Sequence, residues 1–414
     1  MNKIDLYVFA HWRGMEKPEL MGILSAHQAK GRKAFSFEYN KEWLKSKKRV
    51  WIDPDIQFYS GQQFPNNKEN FGVFLDSMPD TWGRTLMIRR AALFAKEKKE
   101  SPKTLHEIDF LLGVLDETRM GAFRFKLAMD GAFLDDNQET PTPPFSTVGQ
   151  LQQAVEHYEN ELNGNVANQW LKVLVAPGSS LGGARPKANL IDDKQQLWIA
   201  KFPSKNDSID KGAWEFLAYQ LALQAGISMS ECRLEKIRGK QHTFFTKRFD
   251  RIKSERLHFS SAMTMTGNTE ELLKKNPASY LDIAAFIQDN CANVTQNLQQ
   301  LWRRIIFNIA ISNTDDHLRN HGFLLTESGW NLSPAYDLNP SIDKDGLALN
   351  IDLYSNELDL ELAISVGQYF RLSLAEMKKI IEEVKSSVSM WESIAKKIGI
   401  ARSEQEIMRK AFLF

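Results

Sequence analysis

Cysteine is scarce in this sequence, with only Cys232 and Cys291 among 414 residues. The two lie far apart and form no C-x-x-C pattern, which excludes a disulfide framework and a cysteine zinc site. Long apolar runs are missing too. No stretch approaches the roughly 20 apolar residues that a membrane helix needs, and residues 1–16 have neither an apolar h-region nor a cleavage pattern. We therefore expect a cytoplasmic protein without a membrane partner.

An excess of charge of either sign is also absent. Lysine and arginine number 53 and aspartate and glutamate 52, which gives a net charge of +1 and an isoelectric point of about 7.7. This balance excludes the global basic field of a protein that binds nucleic acid over its whole surface. The chain is 43% hydrophobic and 25% charged, as soluble globular proteins are, and its length exceeds the usual size of one core. We expect two or three structural units.

The order of local patterns predicts an α+β protein. Short β-like runs occur within residues 1–60 as KIDLYVFAHW, AFSFEY and RVWID, and helical apolar spacing follows Pro79–Asp80. A linker rich in Pro, Thr and acidic residues covers 135–147. Beyond it come a helix, a Gly-rich loop, two strands, a helix and further strands, and the chain is mostly helical after about residue 255. A β-rich part followed by a helical part predicts a cleft where they meet.

The densest polar stretch, SNTDDHLRNHG, spans 312–322 and follows an apolar helix-like segment. In it Asp315 precedes Asn320 by five positions, and Asp337 lies 17 positions beyond the asparagine. Phosphoryl transfer from ATP requires a carboxylate at the acceptor hydroxyl and oxygen ligands for magnesium, and protein kinases place Asp, Asn and a second Asp in this order. The intervening HGFLLTESGWNLSPAYD predicts a hairpin that returns Asp337 toward Asn320. The alternative is a solvated loop with scattered acids, because such short patterns are common.

A glycine-rich stretch, GSSLGGARPK, spans 178–187. Its glycines allow backbone N–H groups to point into one concavity that can hold phosphate oxygens, and Ser179 and Ser180 could add hydroxyl donors. Neither a Walker loop nor G-x-G-x-x-G is present. A flexible turn before a strand is the alternative interpretation.

Lys201, in LWIAKFP, stands on a predicted strand downstream of this loop. Along this strand Trp198, Ala200 and Phe202 alternate with Ile199 and Lys201, which sets the lysine among apolar neighbours. A kinase needs a strand lysine that reaches the α- and β-phosphates. Glu215, in the first turn of the next predicted helix, is the matching glutamate. Taken alone, Lys201 could be a solvated lysine, and Glu215 could be an acidic residue that the helix dipole favours at a helix start. The joint order of loop, lysine, glutamate, Asp-x4-Asn, hairpin and aspartate favours a kinase.

Seven stretches together resemble the HipA-like serine/threonine protein kinases, the toxins of bacterial type II toxin–antitoxin pairs. They are FLDSMPDTWGR, DFLLGVLDETRMGAFRF, GSSLGGARPKANL, LWIAKFP, FFTKRFDR, FNIAISNTDDHLRNHGFLL and SPAYDLNP. The resemblance implies a two-lobed protein-kinase-like fold. It implies an N-terminal subdomain over 1–135, a β-rich ATP-binding lobe over 148–255 and a helical lobe with the catalytic and metal-binding loops over 256–414.

The resemblance also implies roles for single residues. Asp315 resembles the catalytic aspartate that accepts the proton of the substrate hydroxyl, and Asn320 and Asp337 resemble the magnesium ligands. Ser180 falls where the family carries an autophosphorylated serine, although the sequence does not separate it from Ser179. Phosphate there would add about two negative charges where ATP phosphates bind. The residues expected at ATP are Ser179, Ser180, Leu181, Gly182, Gly183, Lys187, Lys201, Glu215, Lys247 and Phe249.

Cofactors and partners are likewise implied by the family. We expect ATP and Mg²⁺, a helix-turn-helix antitoxin of the HipB-like type, and a protein substrate such as an aminoacyl-tRNA synthetase. DNA contact is expected only through the antitoxin, since the chain is nearly neutral and has no convincing helix-turn-helix of its own.

Four features depart from the best-studied members of the family. Asp316 stands where glycine follows the catalytic aspartate, and Leu318 and Arg319 stand where alanine and lysine are frequent. Lys247 stands where some members have glutamate, and the loop is SSLGGARPK instead of SVAGAQEK. This interpretation gives Asp316 no role. His317, His321 and Arg319 are interpreted as structural braces of the loop, with a zinc site at the two histidines as the alternative.

Two further functions remain compatible with the sequence. One is a nucleotide-binding pseudokinase that serves as a co-repressor scaffold with a helix-turn-helix partner, and the other is a kinase of small molecules or lipids. The intact set of Lys201, Asp315, Asn320 and Asp337 argues against the scaffold, which has no chemical need for all four.

Overall fold

The computed structural model describes residues 2–29, 32–134, 142–160, 174, 183 and 185–413. The chain forms two compact units: Met1–Lys205 together with Asp250–Ser260, and Asn206–Phe249 together with Ser261–Phe414. Strands and helices occur in both units, so the predicted mixture of α and β structure is confirmed. The three-part division of the chain stays a prediction.

The first unit contains a four-stranded antiparallel sheet. Buried apolar side chains alternate along it, among them Leu6, Val8, Leu24 and Phe37, all with no exposed surface. Their alternation fixes the register, because a slip of one residue would turn them to the other face. The strands are β1 (Asn2–Ala10), β2 (Glu19–Ala29), β3 (Arg32–Tyr39) and β4 (Phe123–Lys126), in the spatial order β3-β2-β1-β4.

The run RVWID, predicted as a strand, forms no strand. Its last residue, Asp53, is fully buried, and its carboxylate accepts the backbone N–H groups of Asp55 and Val73 at 2.9 Å each. A local bond from an aspartate to the backbone two residues on competes with strand pairing. The prediction is therefore wrong at this segment.

The helix predicted after Pro79–Asp80 is present, and the side chain of Asp80 caps it by accepting the N–H of Gly83 at 2.7 Å. The predicted passage from helix to strand is present as well, with Gly121 at the joint in a left-handed conformation of φ +75°. The helices of this unit are α1 (Lys41–Lys45), α2 (Gly72–Leu75), α3 (Thr81–Glu97), α4 (Glu107–Leu112) and α5 (Val148–Asn160).

A predicted hairpin follows, formed by β5 (Lys187–Ile191) and β6 (Leu197–Lys201). The carboxylate of Asp192 stabilises its turn by accepting the N–H groups of Lys194 and Gln196 and the indole N–H of Trp198, each at 2.9 Å. Trp198 is fully buried and Lys201 half-buried, so the predicted alternation along β6 is confirmed.

The second unit begins with α6 (Lys211–Gln224) and the antiparallel pair β7 (Cys232–Glu235) and β8 (Thr243–Lys247). Asp210 caps the helix, because its carboxylate accepts the N–H of Ala213 at 3.2 Å. The short strands β9 (Arg251–Ile252), β10 (Glu255–Arg256) and β11 (His258–Ser261) come next along the chain and, apart from Ser261, belong to the first unit.

From residue 262 the chain is mostly helical, as predicted. The helices are α7 (Ala262–Met265), α8 (Glu270–Lys275), α9 (Tyr280–Asn290), α10 (Val294–Ala310), α11 (Leu360–Ser365), α12 (Leu374–Val388), α13 (Trp391–Ile398) and α14 (Arg402–Met408). The strands β12 (Gly322–Thr326) and β13 (Gly329–Leu332) interrupt them. The 3₁₀ turns are Phe145–Thr147, Leu318–Asn320, Gly367–Phe370 and Arg409–Ala411. None of the helices in the described part of the chain combines the length and apolar character needed to cross a bilayer.

The last residues of the chain pack into the core of the second unit. The ring of Phe412 stacks on Trp391 at a centroid distance of 4.4 Å and lies 6.1 Å from Trp214. The N–H of Leu413 donates to the carbonyl of Ala310, the last residue of α10, at 3.1 Å. Residues from the chain end thus complete the end of the helix that leads into the loop over 312–322.

Candidate active site

The loop after α10 begins with a backbone reversal. Ser312 has a left-handed φ of +50°, and Asn313 bonds back to Asn308 twice: through its N–H to the carbonyl at 2.8 Å and through its side-chain amide to Oδ1 at 3.0 Å. The N–H of Ser341 donates to the carbonyl of Ser312 at 3.2 Å. These bonds fix the base from which residues 315–320 project.

The two adjacent aspartates of the loop have opposite surroundings. The side chain of Asp315 is 77% exposed, and the ammonium of Lys344 lies 3.7 Å from its Oδ1. Asp316 is 1% exposed. A molecule in solution can therefore reach the carboxylate of Asp315 and cannot reach that of Asp316.

Asp316, for which sequence patterns predict no role, is the acceptor of a buried polar cluster. Its Oδ2 accepts hydrogen bonds from the Tyr280 hydroxyl at 2.5 Å, the Asn308 amide at 2.7 Å and His321 Nε2 at 2.8 Å. Burial and the Asp316 charge raise the pKa of Tyr280 well above its usual value, which keeps the hydroxyl protonated as a donor. The cluster joins the loop to α9 and α10 and holds Asp316 inward.

Two polar residues on an apolar helix could have revealed this cluster. Arg304 and Asn308 lie four positions apart on α10 and so share a face. Arg304 is 2% exposed and donates to the Ser333 carbonyl at 2.5 Å. Burial lowers the pKa of Arg304 to about 10, while the charge of Asp316 opposes that shift. A buried arginine and asparagine one turn apart indicate a buried acidic partner.

Asn320 is buried and donates its side-chain N–H to the backbone carbonyl of Asp315 at 3.1 Å. Because a carbonyl cannot donate, this contact assigns the amide orientation, and the Oδ1 oxygen faces away from the bond. Among the described residues no hydrogen bond to Oδ1 is formed. The asparagine thereby braces the loop with one side-chain atom and presents an oxygen with the other.

The predicted hairpin between Asn320 and Asp337 is confirmed. β12 and β13 pair antiparallel, with Phe323 opposite Leu332. Beyond the hairpin the Tyr336 hydroxyl donates to the carbonyl of Arg319 at 2.7 Å. Since these two residues directly precede Asp337 and Asn320, the contact joins the two segments that carry the expected metal ligands.

Asp337 has a left-handed backbone, with φ +59°. Its Oδ1 accepts the side-chain N–H of Asn339 at 3.1 Å. Aspartate adopts this conformation more readily than most residues, but it is uncommon outside glycine and clusters at functional sites. The conformation turns the chain sharply at the position where the sequence expects a metal ligand.

Lys247 and Phe249 also lie in the second unit. The Phe249 ring lies 5.5 Å from the Tyr336 ring, centroid to centroid, and so lies near the residue that precedes Asp337. Lys247 ends β8, and its ammonium lies 3.9 Å from a carboxylate oxygen of Glu231. The structure thus brings Phe249, and not the Lys247 side chain, into contact with the hairpin segment.

Glu215 is buried on α6, with 7% of its surface exposed. The sequence places it in the first turn of the helix, and this prediction is wrong. Asp210 caps the helix and Lys211 begins it, which puts Glu215 in the second turn, and the first turn contains no acidic residue. A favourable helix-dipole interaction therefore does not explain the glutamate.

Lys187 and Lys201 lie in the first unit, where they are direct partners across the β5–β6 hairpin. The ammonium of Lys187 lies 2.7 Å from the carboxylate of Asp80, with 3% and 1% of the two side chains exposed. Burial raises the pKa of Asp80, and the charge of Lys187 opposes the rise. The Trp82 indole N–H donates to the Lys187 carbonyl at 3.1 Å. Lys187 is therefore half of a buried ion pair at the N-terminus of α3.

Among the five consecutive loop residues 179–183 expected at ATP, the structure describes Gly183. It has a left-handed φ of +109°, and its carbonyl accepts the N–H of Trp82 at 3.4 Å. A Cβ atom at this position would lie 3.0 Å from the Lys187 ammonium, which favours glycine. Ser179, Ser180, Leu181 and Gly182 lie outside the described residues, so the expected phosphate nest stays a prediction.

Magnesium takes oxygen ligands and completes its shell with water and substrate phosphate. The amide oxygen of Asn320 and the carboxylate of Asp337 are the donors such an ion takes, so the two residues fit it. Among the described residues no group of three or more His, Cys, Asp and Glu side chains is placed to hold a metal.

A comparison with known families matches residues 179–391 to the HipA-like C-terminal domain. This range is about half of the chain. The chain belongs to the HipA-like family. All of the expected site residues, from Ser179 to Asp337, lie inside the matched range.

Two curated relatives of this HipA-like chain are known by name. A Haemophilus influenzae protein named "Putative kinase" is 27% identical over 179 residues, which are 39% of this chain and 52% of that protein. A Sinorhizobium fredii protein, "Putative kinase Y4mE", is 24% identical over 211 residues, 49% of this chain and 43% of that protein. The chain spans about half the length of the curated relatives it matches.

Among solved structures, the HipA-like chain is similar to one from Shewanella oneidensis MR-1. That structure is a complex of HipA and HipB, of a toxin–antitoxin system, with its operator DNA. The TM-score is 0.65 at 18% identity, and the match covers 98% of this chain and 94% of the other. At this identity the likeness establishes a shared fold.

Proposed function

We propose that the chain is an ATP- and Mg²⁺-dependent kinase that phosphorylates a serine or threonine hydroxyl of a protein. One observation carries the proposal: the 2.7 Å contact between the Tyr336 hydroxyl and the Arg319 carbonyl. It joins the residues that directly precede Asp337 and Asn320, and the Asn320 side chain is itself bonded to the Asp315 carbonyl. A carboxylate, an amide oxygen and a second carboxylate in this arrangement are the groups that phosphoryl transfer requires.

In the proposed reaction Asp315 accepts the proton of the acceptor hydroxyl. The acceptor oxygen forms a bond to the γ-phosphorus, the bond from that phosphorus to the β–γ bridging oxygen breaks, and ADP leaves. Asn320 and Asp337 would hold a magnesium ion, which would supply positive charge at the phosphate oxygens. The exposure of the Asp315 side chain supports this role, because a protein acceptor has to reach it.

The remaining expected residues keep their proposed roles. The glycine-rich loop with Ser179, Ser180, Leu181, Gly182 and Gly183 would bind phosphates together with Lys201, and Glu215 would steady that lysine. Lys247 and Phe249 would lie at the adenine, and autophosphorylation of Ser180 would silence the enzyme. The buried bond from Lys187 to Asp80 supports a different part for that lysine, which is to anchor the end of the loop. The two-lobed kinase arrangement belongs to the same proposal.

The biological role we propose is that of a toxin restrained by a helix-turn-helix antitoxin. The HipA in the similar structure is bound to HipB and operator DNA, which supports such a partner for this chain. The net charge of +1 agrees with DNA contacts made through the antitoxin. The proposed substrate is a translation component such as an aminoacyl-tRNA synthetase, in line with the family.

The experiment incubates purified protein with magnesium and γ-labelled ATP, alone and in a cell lysate, and measures labelled protein. We expect Asp315→Ala to lower labelling by about a hundredfold to ten-thousandfold, the usual effect of losing a general base, and EDTA to abolish it. Asp345→Ala, a change at another exposed aspartate of the second unit, should leave labelling unchanged. Equal labelling by wild type and Asp315→Ala would contradict the proposal. Binding of ATP by a wild type that transfers no phosphate would favour the nucleotide-binding scaffold instead.

A further inference from the structure

The residues after the catalytic loop are almost devoid of positive charge. Between His321 and Phe370, Lys344 is the only lysine or arginine. It is surrounded in sequence by eight acidic residues: Glu327, Asp337, Asp343, Asp345, Asp352, Glu357, Asp359 and Glu361. Because Lys344 is the single cation in so acidic a stretch, its binding partner is of interest.

Lys344 binds Asp315. Its ammonium lies 3.7 Å from Oδ1 of that residue, and the two side chains are 60% and 77% exposed. Ion pairs this exposed contribute little to folding stability, because water and salt screen them. Stability therefore does not explain the pair, and its exposure leaves the ammonium able to contact a bound ligand as well.

Backbone bonds, and not only a flexible side chain, place Lys344 at this position. The N–H of Ser341 donates to the carbonyl of Ser312 at 3.2 Å, which attaches the segment to the start of the catalytic loop. The hydroxyl of Ser341 accepts the N–H of Asp343 at 3.1 Å and so forms a tight turn directly before Lys344. The lysine thus extends from a turn anchored three residues before Asp315.

The catalytic loop has a cation of its own in Arg319, but the structure directs it elsewhere. The Arg319 guanidinium binds the carboxylate of Glu270 on α8 and lowers the pKa of Glu270, while its backbone carbonyl accepts the Tyr336 hydroxyl. Arg319 thus connects the loop to α8. The charge beside the Asp315 carboxylate comes from Lys344.

We propose that Lys344 is a catalytic residue whose ammonium contacts the phosphoryl group during its transfer. This inference rests on the proposed kinase function. The lysine keeps its proton throughout: the acceptor's proton goes to Asp315, and the γ-phosphorus exchanges its bond to ADP for one to the acceptor oxygen. The ammonium adds positive charge at the phosphoryl oxygens, where lysine and arginine stabilise transferring phosphoryl groups.

The opposite role would be inhibition, in which Lys344 occupies the Asp315 carboxylate and a substrate must displace it. The two roles predict opposite effects of removing the lysine. A catalytic lysine is required for a fast reaction, whereas an inhibitory one slows it. Rate measurements on one substitution therefore decide between them.

The first measurement is the rate of phosphate transfer from γ-labelled MgATP by the purified full-length protein. We expect Lys344→Ala to lower kcat by about tenfold to a hundredfold with little change in the KM for ATP, the pattern of a group that acts in the transition state. Lys344→Arg should recover most of the rate, because it retains the charge. Lys379→Ala, which removes an exposed lysine paired with Glu383 on α12, is the matched control and should behave as wild type.

A second measurement does not depend on turnover. MgADP with aluminium fluoride mimics the phosphoryl group in transit, and transition-state mimics bind more tightly than ground-state ligands. Wild type should bind ADP at least about tenfold more tightly when aluminium fluoride is added. Lys344→Ala should bind MgADP as wild type does and lose most of that gain.

The outcomes distinguish a failure of the role proposed for Lys344 from a failure of the proposed kinase function. If wild type transfers phosphate and Lys344→Ala does so at an equal or higher rate, the inference is overturned while the kinase function stands. If wild type transfers none, the kinase function fails and the inference fails with it. A slow Lys344→Ala that still shows the full gain with aluminium fluoride would also overturn it, since the lysine would then act elsewhere.

Discussion

Two lysine–aspartate pairs, one in each unit, share their chemistry and differ in their surroundings. Lys187 and Asp80 lie 2.7 Å apart with 3% and 1% of their side chains exposed. Lys344 and Asp315 lie 3.7 Å apart with 60% and 77% exposed. In the first pair each charge is deprived of water and depends on its partner. In the second, either residue can exchange its partner for water or a ligand at little cost.

The difference in exposure indicates which of the two pairs can take part in a reaction. A buried pair resists separation, because an isolated charge inside a protein is costly, and it suits a structural role such as fixing one end of a loop. An exposed pair is weak and adaptable, which suits a site that binds and releases substrate. The two pairs differ in distance as well, but their exposure decides which of them can exchange partners.

The largest effect is expected when the buried pair is broken. Lys187→Met leaves the Asp80 carboxylate buried and unpaired and should lower the free energy of unfolding by about 3–5 kcal/mol. Lys344→Met should change it by less than about 0.5 kcal/mol, since it alters an exposed residue. Urea unfolding followed by tryptophan fluorescence measures both. The double change Lys187→Met with Asp80→Asn, which keeps the helix cap, should regain part of the loss.

The same contrast appears between adjacent residues at the site. Asp316→Ala removes the acceptor of Tyr280, Asn308 and His321 and should lower the free energy of unfolding by about 2–4 kcal/mol. Asp315→Ala should change stability by less than about 0.5 kcal/mol, while it lowers the proposed phosphate transfer by about a hundredfold to ten-thousandfold. Paired measurements of unfolding and transfer test this. Comparable losses of stability in both variants would contradict the division of the loop into an exposed and a buried face.

A smaller effect is expected at Asp53, a buried carboxylate that accepts backbone N–H groups. Burial raises its pKa to about 6. The folded state therefore binds the proton more tightly than the unfolded state, whose aspartate has a pKa of about 4, so stability is highest below pH 4 and falls as pH rises through 6. From pH 4 to 7 the wild type should lose about 2 kcal/mol relative to Asp53→Asn. A pH-independent difference between their urea midpoints would contradict the shift.

Local signals in the sequence predicted those parts that depend on neighbouring residues. The start of α3 follows from the proline and the capping Asp80, and the hairpin before Asp337 follows from two apolar runs around a turn. The strand prediction for RVWID was wrong because the backbone bonds of Asp53, one of them to Val73, decide the conformation there. Pattern reasoning did not include a bond that crosses 20 residues.

At the candidate site, too, local spacing predicts some residues, and contacts between distant residues decide the others. The order of Asp315, Asn320 and Asp337 is readable from spacing, since one loop and one hairpin connect them. The partners of Asp316 are not, because Tyr280 lies 36 positions away and joins the cluster only through packing of α9. The Lys187–Asp80 pair spans 107 positions, and no local sequence pattern predicts it. The apolar helix bearing Arg304 and Asn308 did contain a signal, namely two polar residues on one face.

The contacts of Phe412 and Leu413 have a consequence for the order in which the protein is made. The ring stack of Phe412 on Trp391 and the bond from Leu413 to Ala310 complete the end of the helix that leads into the loop over 312–322. At synthesis rates of about 5–20 residues per second, the roughly 100 residues between Ala310 and Leu413 take about 5–20 s to emerge. A nascent chain therefore contains Asp315, the proposed catalytic aspartate, for several seconds before that helix end is closed. If the proposed toxin depends on this closure, translation itself delays its activity and leaves an interval in which a partner can bind first.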